Sequence, residues 1–333
     1  MTIRELARVA GVSHTTVSRA LHDSPRLSVE TRERIQALAR ERGYKPHPLV
    51  SKLMTQLSQI RTIRRSTLAL VTSFPGWRQS PFILEIYEGI RARSDELGYK
   101  LEEFALASHG MSSRHLSDVL YARGIEGVII FPLAKSPGHL SLKWSHFSSV
   151  AIGRTLAAPS LHRISFSHFE NVILALRHLR KLGYCRIAMA LEYWLQFRGG
   201  DAYVAAFGFY QRNIPRKDRV PILIRPKLDP AEVAAWLRKF HADAFLCNYN
   251  PTPEVLHAEG FEIPGQLGYA TLDRYPGRDE VSGIDQRPRF VGMAAIDVLT
   301  AHLHRNERGI PPFPKLTVIQ GEWIKGETVR SSG

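Results

Sequence analysis

Four residues within six positions, His14, Thr15, Ser18 and Arg19, combine short hydrogen-bonding side chains with one guanidinium. That is the chemistry that reads base edges: arginine pairs with guanine, and Ser or Thr with several bases. To act together the four must share the outer face of one rigid element, and the neighbouring residues supply it. Val17, Ala20 and Leu21 fall inward on a helix from about His14 to Leu21, for which Ser13 is a good N-cap. Upstream, Ile3, Leu6, Ala7 and Ala10 form the apolar face of a first helix. Gly11 can leave that helix with positive φ, and Val12 packs under the turn. The pair reads as a helix-turn-helix, which lays its second helix in the DNA major groove. A plain helical hairpin is the rival reading, but its outer face would more often carry Glu/Lys pairs.

A third helix, about Val29 to Arg42, completes a small core through Ile35, Leu38 and Ala39, with Ser28 as its cap. Charge agrees with a nucleic-acid partner. Residues 1–66 hold 13 Lys/Arg and 5 Asp/Glu, a net of +8 out of +14 for all 333 residues. One fifth of the chain therefore carries more than half of the excess, the footprint of a module that neutralises phosphates.

The first fifty residues resemble the lac-repressor (LacI) family of transcription regulators. The resemblance is carried by Thr2-Ile3-Arg4-Glu5-Leu6-Ala7, Ala10-Gly11-Val12-Ser13, Thr16-Val17-Ser18-Arg19-Ala20-Leu21, Ser28, Thr31-Arg32, Ile35 and Gly43-Tyr44-Lys45-Pro46. It implies that His14, Thr15 and Arg19 read bases, within a contact set of Thr2, Ser13, His14, Thr15, Thr16, Ser18 and Arg19. It also implies that the helix after Lys45-Pro46-His47-Pro48 pairs with its twin in a homodimer, and that Leu53 wedges into the minor groove and kinks the DNA. Leu49, Val50, Leu53, Met54, Leu57 and Ile60 give that helix one apolar stripe. The chain departs from the family at Thr55–Arg65, which separates Leu53 from the first core strand by more residues than usual. A longer linker helix is expected there, with a flexible basic linker as the alternative.

From Thr67 the pattern alternates apolar strands with amphipathic helices, the signature of parallel sheets covered on both faces. The expected fold class is α/β: an N-terminal helix-turn-helix three-helix domain, residues 1–47; a linker helix, 48–66; and two doubly wound parallel-sheet subdomains within 67–333. The first subdomain is expected over about 67–160 plus 287–315, the second over about 161–286 plus 316–333. Gly43, Gly98, Gly183 and Gly260 each follow a helix and precede an aromatic, which reads as a C-cap whose ring folds back. The resemblance to the LacI family, and to periplasmic sugar-binding proteins, continues more loosely through Glu88-Gly89-Ile90, Gly124–Ile129, Leu182-Gly183-Tyr184, Ala242-Asp243-Ala244, Ile284–Pro288 and Glu322-Trp323-Ile324.

Doubly wound sheets bind ligands at the carboxyl ends of their strands. The candidates so placed are Ser73, Phe82, Arg154, Arg198, Asn250, Asp273 and Gln286. The resemblance gives Arg198 the place of the arginine that holds effector, and Asp273 the last acid of a Gly-Phe-Asp-Asp pattern whose glycine is replaced here. Arginine and aspartate across a cleft suit a sugar, and Trp194, Phe197 and Tyr249 could stack on its face. For each residue a salt bridge or packing role is the competing reading.

No Gly-x-Ser-x-Gly elbow, phosphate loop or His-Glu-x-x-His is present. An α/β enzyme leaves residues 1–50 without a purpose, and a ligand-binding protein with a merely tethering basic head is the other alternative. Cys185 and Cys247 sit in apolar runs and read as buried core thiols, without metal-ligand spacing. No signal peptide opens the chain and no apolar run approaches a membrane span, so a cytoplasmic protein without cofactor, metal or membrane partner is expected. These features lead to the expectation of a homodimeric repressor of a palindromic operator, controlled by a small carbohydrate effector.

Overall fold

The computed structural model describes residues 3–21, 27–42, 66–73, 75–106, 113–193, 199, 201–248, 250–274 and 276–331. The expected linker helix, Leu53 and the cap at Gly43 lie outside these residues. The chain divides into two units, Met1–Arg64 and Arg65–Gly333.

The first unit contains α1 (Ile3–Ala10), α2 (His14–Leu21) and α3 (Val29–Glu41). Its core consists of Leu6, Ala7, Ala10, Val17, Ala20, Ile35 and Ala39, with Val12, Leu21, Leu27 and Leu38 packed around it. These are the residues whose spacing predicts the three helices. Gly11 turns the chain with φ of 69°, a conformation that costs a side chain about 1–2 kcal/mol. The Ser28 hydroxyl caps α3 by accepting the Thr31 N–H at 3.3 Å. The Gln36 side-chain amide donates to the Ala20 carbonyl at 2.9 Å, tying α3 to the end of α2.

The second unit holds two six-stranded sheets. In chain order its elements are β1 (Thr67–Thr72), α4 (Pro81–Glu96), β2 (Lys100–Ala105), α5 (Ser113–Ala122), β3 (Gly127–Ile130), β4 (Gly138–His139), β5 (Ser148–Ile152), β6 (Leu156–Ala158) and β7 (His162–Phe166). There follow α6 (His168–Lys181), β8 (Ile187–Glu192), α7 (Ala202–Arg212), β9 (Leu223–Arg225), α8 (Pro230–Lys239), β10 (Ala244–Cys247), α9 (Pro253–Ala258), β11 (Gly268–Arg274) and β12 (Gly283–Asp285). Last come α10 (Pro288–Arg305), β13 (Leu316–Ile319) and β14 (Glu322–Ile324). The first sheet has the order β13-β7-β5-β3-β1-β2 and the second β14-β12-β11-β10-β8-β9. Every pairing in them is parallel except that of β14 with β12.

Three corrections to the expected layout follow. The pairing of β7 and β13 in the first sheet places 162–166 and 316–319 there, against expected boundaries at 160/161 and 315/316. The sequence does not mark β7, because His162-Arg163-Ile164-Ser165-Phe166 alternates polar and apolar residues instead of forming a continuous apolar run. The apolar stretch Val220–Ile224 reads as a strand, but the strand starts only at Leu223, because Pro221 cannot donate to the ladder. Cys185 is exposed in the turn before β8, whereas Cys247 is buried as expected.

The chain thus passes between the sheets after β7, after β12 and after β13. The crossings are pinned together: the Ser167 N–H donates to the Ile319 carbonyl and the Gly321 N–H to the Asn171 side-chain oxygen, both at 3.0 Å. The helix α10 lies against α4 and the first sheet, where Gly292 brings the two backbones together: a Cβ there would stand 2.1 Å from the Ile86 carbonyl oxygen. The helix–Gly–aromatic caps occur at Gly98, Gly183 and Gly260, with φ of 77°, 85° and 87°. In each the aromatic N–H bonds back into the helix, at 2.8 to 3.2 Å. No helix among the described residues is long and apolar enough to cross a membrane.

Candidate functional site

In the first unit the geometry starts from the cap of α2. The Ser13 hydroxyl accepts the Thr16 N–H at 3.1 Å, and the Ser13 and Thr16 hydroxyls are 2.9 Å apart. Both side chains therefore hold the start of the helix, a contribution of about 1 kcal/mol. Positions 14, 15, 18 and 19 all fall within α2. Helical phase sets 15, 18 and 19 on the side away from buried Val17 and Ala20, with 14 at the flank. The side chains at these four positions, and Thr2, lie outside the description.

In the second unit the candidates stand at carboxyl ends of strands, but the structure gathers only some of them. Asp273 and Gln286, thirteen residues apart, meet. The Gln286 amide donates to an Asp273 carboxylate oxygen and, at 2.9 Å, to the Leu272 carbonyl. The other carboxylate oxygen accepts from the Asn248 amide at 2.5 Å. Burial pushes the Asp273 carboxyl up to about 6, against the pull of the two amide donors. The Tyr203 hydroxyl interacts with Gln286 and Asn248; burial first, and the Asp273 charge second, raise its pKa.

An aromatic row leads from this cluster to the first sheet. The rings of Tyr203 and His168 lie 4.8 Å apart, those of His168 and Phe166 5.7 Å, and those of Phe166 and Phe82 5.0 Å. Phe82 opens α4 and Phe166 ends β7, so the row spans the junction between the sheets. Burial, and then the Arg154 charge, push the His168 imidazole down to about 4, so it is neutral at pH 7.

Three buried polar atoms of this region have no hydrogen-bond partner among the described residues: Asn248 Oδ1, Gln286 Oε1 and His168 Nδ1. Leaving a buried polar group unpaired costs about 1–3 kcal/mol, so each of the three gains from any hydrogen-bonding partner that reaches it. The other candidates play different parts. The Ser73 hydroxyl accepts the Ala134 N–H at 2.8 Å and fastens a loop. Arg154 is exposed. The Asn250 amide donates to Glu192 at 3.4 Å. Arg198, Trp194, Phe197 and Tyr249 lie outside the described residues.

Sequence reasoning missed His168, Tyr203 and Asn248. Asn248 is the first residue after an apolar strand, which was a usable signal. Tyr203 sits among the core residues of α7 and His168 at a helix start, and nothing local distinguishes them.

Comparison with known proteins agrees with this architecture. Residues 2–47 match the model of the bacterial regulatory proteins of the lacI family. The HTH-type transcriptional regulator PtxS of Pseudomonas plecoglossicida is 27% identical over 320 residues, covering 92% of this chain and 90% of its own. The lactose operon repressor of Escherichia coli (strain K12) is 27% identical over 192 residues, 57% of this chain and 50% of its own. Among solved structures, the lac repressor dimer bound to operator and the anti-inducer ONPF superposes with a TM-score of 0.59 at 17% identity, covering 99% of both chains. A CelR–cellobiose complex gives 0.57 at 19% identity, covering 98% of this chain and 99% of that one. The head therefore matches the lacI-family model, and most of the chain's length is similar to HTH-type transcriptional regulators.

Proposed function

We propose that this protein is a homodimeric, sequence-specific transcriptional repressor, not an enzyme, whose hold on a near-palindromic operator is set by a carbohydrate effector. The observation that carries the reading is the joining of a helix-turn-helix head to a two-sheet unit in which Asn248, Gln286 and His168 each keep a polar atom without a partner among the described residues. Relatives point the same way: one solved neighbour holds cellobiose and another is a dimer on operator DNA.

In this reading the two copies of α2 enter adjacent major-groove half-sites, with His14, Thr15 and Arg19 on base edges. Asp273, Gln286, Asn248 and His168 meet the hydroxyls of the sugar, and Arg198 adds a cation. Asp273, accepting from two amides, orients them so that their oxygens face ligand donors. Effector and operator bias the same arrangement of the sheets, so each changes the other's affinity by the same factor.

The test is selection of random duplexes by the purified protein at two salt concentrations. A palindromic motif with a fixed centre supports the proposal. Featureless binding that falls steeply with salt means that only the phosphate contacts are present and overturns it. The linker has its own test: Leu53→Ala reduces the bend of operator DNA in a permutation assay, and an unchanged bend removes the wedge.

A further inference from the structure

A polar cavity of about 190 Å³ lies where β7 and β13 of the first sheet begin and α10 ends. His162 and Arg163 at the amino end of β7, Lys315 and Thr317 at the amino end of β13, and His302 and Arg305 at the end of α10 line it. Effector crevices of doubly wound sheets open at the carboxyl ends of the strands, so this cavity is a separate place in the fold. At roughly 30 Å³ per water, it has room for a tetrahedral oxyanion and several waters.

Its charge is one-sided. Arg163 donates to the carbonyls of Gly153 and Leu156, both at 2.8 Å, which uses two of its five N–H groups. Neither Arg163 nor Lys315 has a carboxylate at ion-pair distance among the described residues. The carboxylate facing the cluster is Glu307, held by Arg305 at 2.6 Å and standing 3.8 Å from His302. Three cations against one carboxylate leave two positive charges, and Arg154 adds to the field at Arg163. The end of α10 opposes this with about half a negative charge, too little to reverse the sign.

The two histidines complete the lining. Their rings lie 4.4 Å apart. The Lys315 N–H donates to His162 Nδ1 at 3.1 Å, which leaves the proton of the neutral ring on Nε2 as a donor. Burial is the first cause lowering both imidazoles, and Arg305 and Lys315 act in the same direction, against Glu307. The lining thus offers guanidinium, ammonium, imidazole and hydroxyl donors, with uncompensated cations held close together.

We propose that this cavity binds a compact dianion: inorganic phosphate or sulfate, or the phosphate group of a small phosphate ester. The anion relieves the repulsion among Arg163, Arg305 and Lys315 and accepts from the His162 and Thr317 donors. It favours the charged form of both imidazoles, so binding takes up protons and tightens as pH falls from about 7.5 to about 6.

The experiment is calorimetric titration of the full-length protein with sulfate, which stays dianionic over that range, with chloride at matched ionic strength as control. The expected result is one saturable site, weakened roughly tenfold or more by Lys315→Gln and by Arg305→Gln, the scale of one charge-assisted hydrogen bond. Both positions are exposed, so the variants keep the fold. In parallel, imidazole NMR of His162 and His302 follows their titration, and sulfate raises both midpoints. Glycerol phosphate competing with sulfate at the same site shows that the group is accepted on an organic carrier; failure to compete shows a free-anion site. No saturable heat beyond chloride, or binding that ignores both variants and leaves the two histidines unmoved, overturns the proposal.

Discussion

The helix-turn-helix head and the cluster at the sheet junction solve recognition in opposite ways. In the head the candidate base-reading positions, 14, 15, 18 and 19, belong to one eight-residue helix. At the junction the ring row and its polar end draw on positions 82, 166, 168, 203, 248, 273 and 286, from elements of both sheets. The first arrangement needs only a helix held at a fixed angle by a small core. The second needs β10, β11 and β12 paired side by side to form its polar end, and both sheets to complete its ring row. A local site is robust to everything except loss of its helix, whereas a dispersed site depends on the whole unit.

The strongest way to break this contrast is to empty the core of the head. Ile35→Ala removes one of the few large buried side chains there and is expected to cost about 2–5 kcal/mol, unfolding the three helices. Operator binding is lost while the thermal transition of the two-sheet unit stays in place. A common shift of both transitions would show that the two parts do not stand independently.

Arg19→Ala tests the chemistry of α2 without touching its core. It is expected to cost about 1–3 kcal/mol on operator and to spare binding to random DNA. Equal losses on both would make Arg19 a phosphate contact.

At the junction, pH gives a test with two opposite signs. The Asp273 carboxyl is raised to about 6 in the folded protein. The folded state then holds a proton that the unfolded state has lost above pH of about 4, and stability falls as pH rises from there to about 6. The His168 imidazole is lowered to about 4; the unfolded state holds the extra proton below about 6.5, so stability falls as pH drops through that same range. In the wild type the two slopes oppose each other. Asp273→Asn leaves the His168 slope, and the urea midpoint then rises from pH 4.5 to pH 6. His168→Phe leaves the Asp273 slope, and the midpoint falls over the same interval. Parallel profiles for both variants would remove the enclosed carboxyl and imidazole from the account.

The smallest expected effect is that of Tyr203→Phe. It deletes one hydroxyl beside Gln286 and Asn248 and is expected to lower effector affinity by about 1 kcal/mol, with operator binding in the absence of effector unchanged. An equal loss in both would mean that Tyr203 supports the fold and not the ligand.

Much of this molecule was legible as a sequence because the signals are local. Helical spacing of Leu6, Ala10, Val17, Ala20 and Ile35 defines the head, with Ser13 and Ser28 as caps. Continuous apolar runs such as Thr67–Thr72 and Ala244–Cys247 define buried parallel strands, and Gly98, Gly183 and Gly260 mark helix ends. The periodicity of an amphipathic element is written into adjacent residues by its own geometry, so it survives without knowledge of the fold.

Only the tertiary structure decided the rest. That β7 and β13 complete the first sheet depends on which edge was left open after the other strands had paired. That half-buried Asp273 accepts from Asn248 and Gln286, and that a ring row links Tyr203 through His168 to Phe82, follows from residues brought together across more than a hundred positions. Ser73 and Asn250 follow strands as expected, and their bonding to Ala134 and Glu192 could not be read from spacing. Spacing along the chain carries no information about such meetings, because burial and pairing are properties of the assembled sheets and not of any single strand.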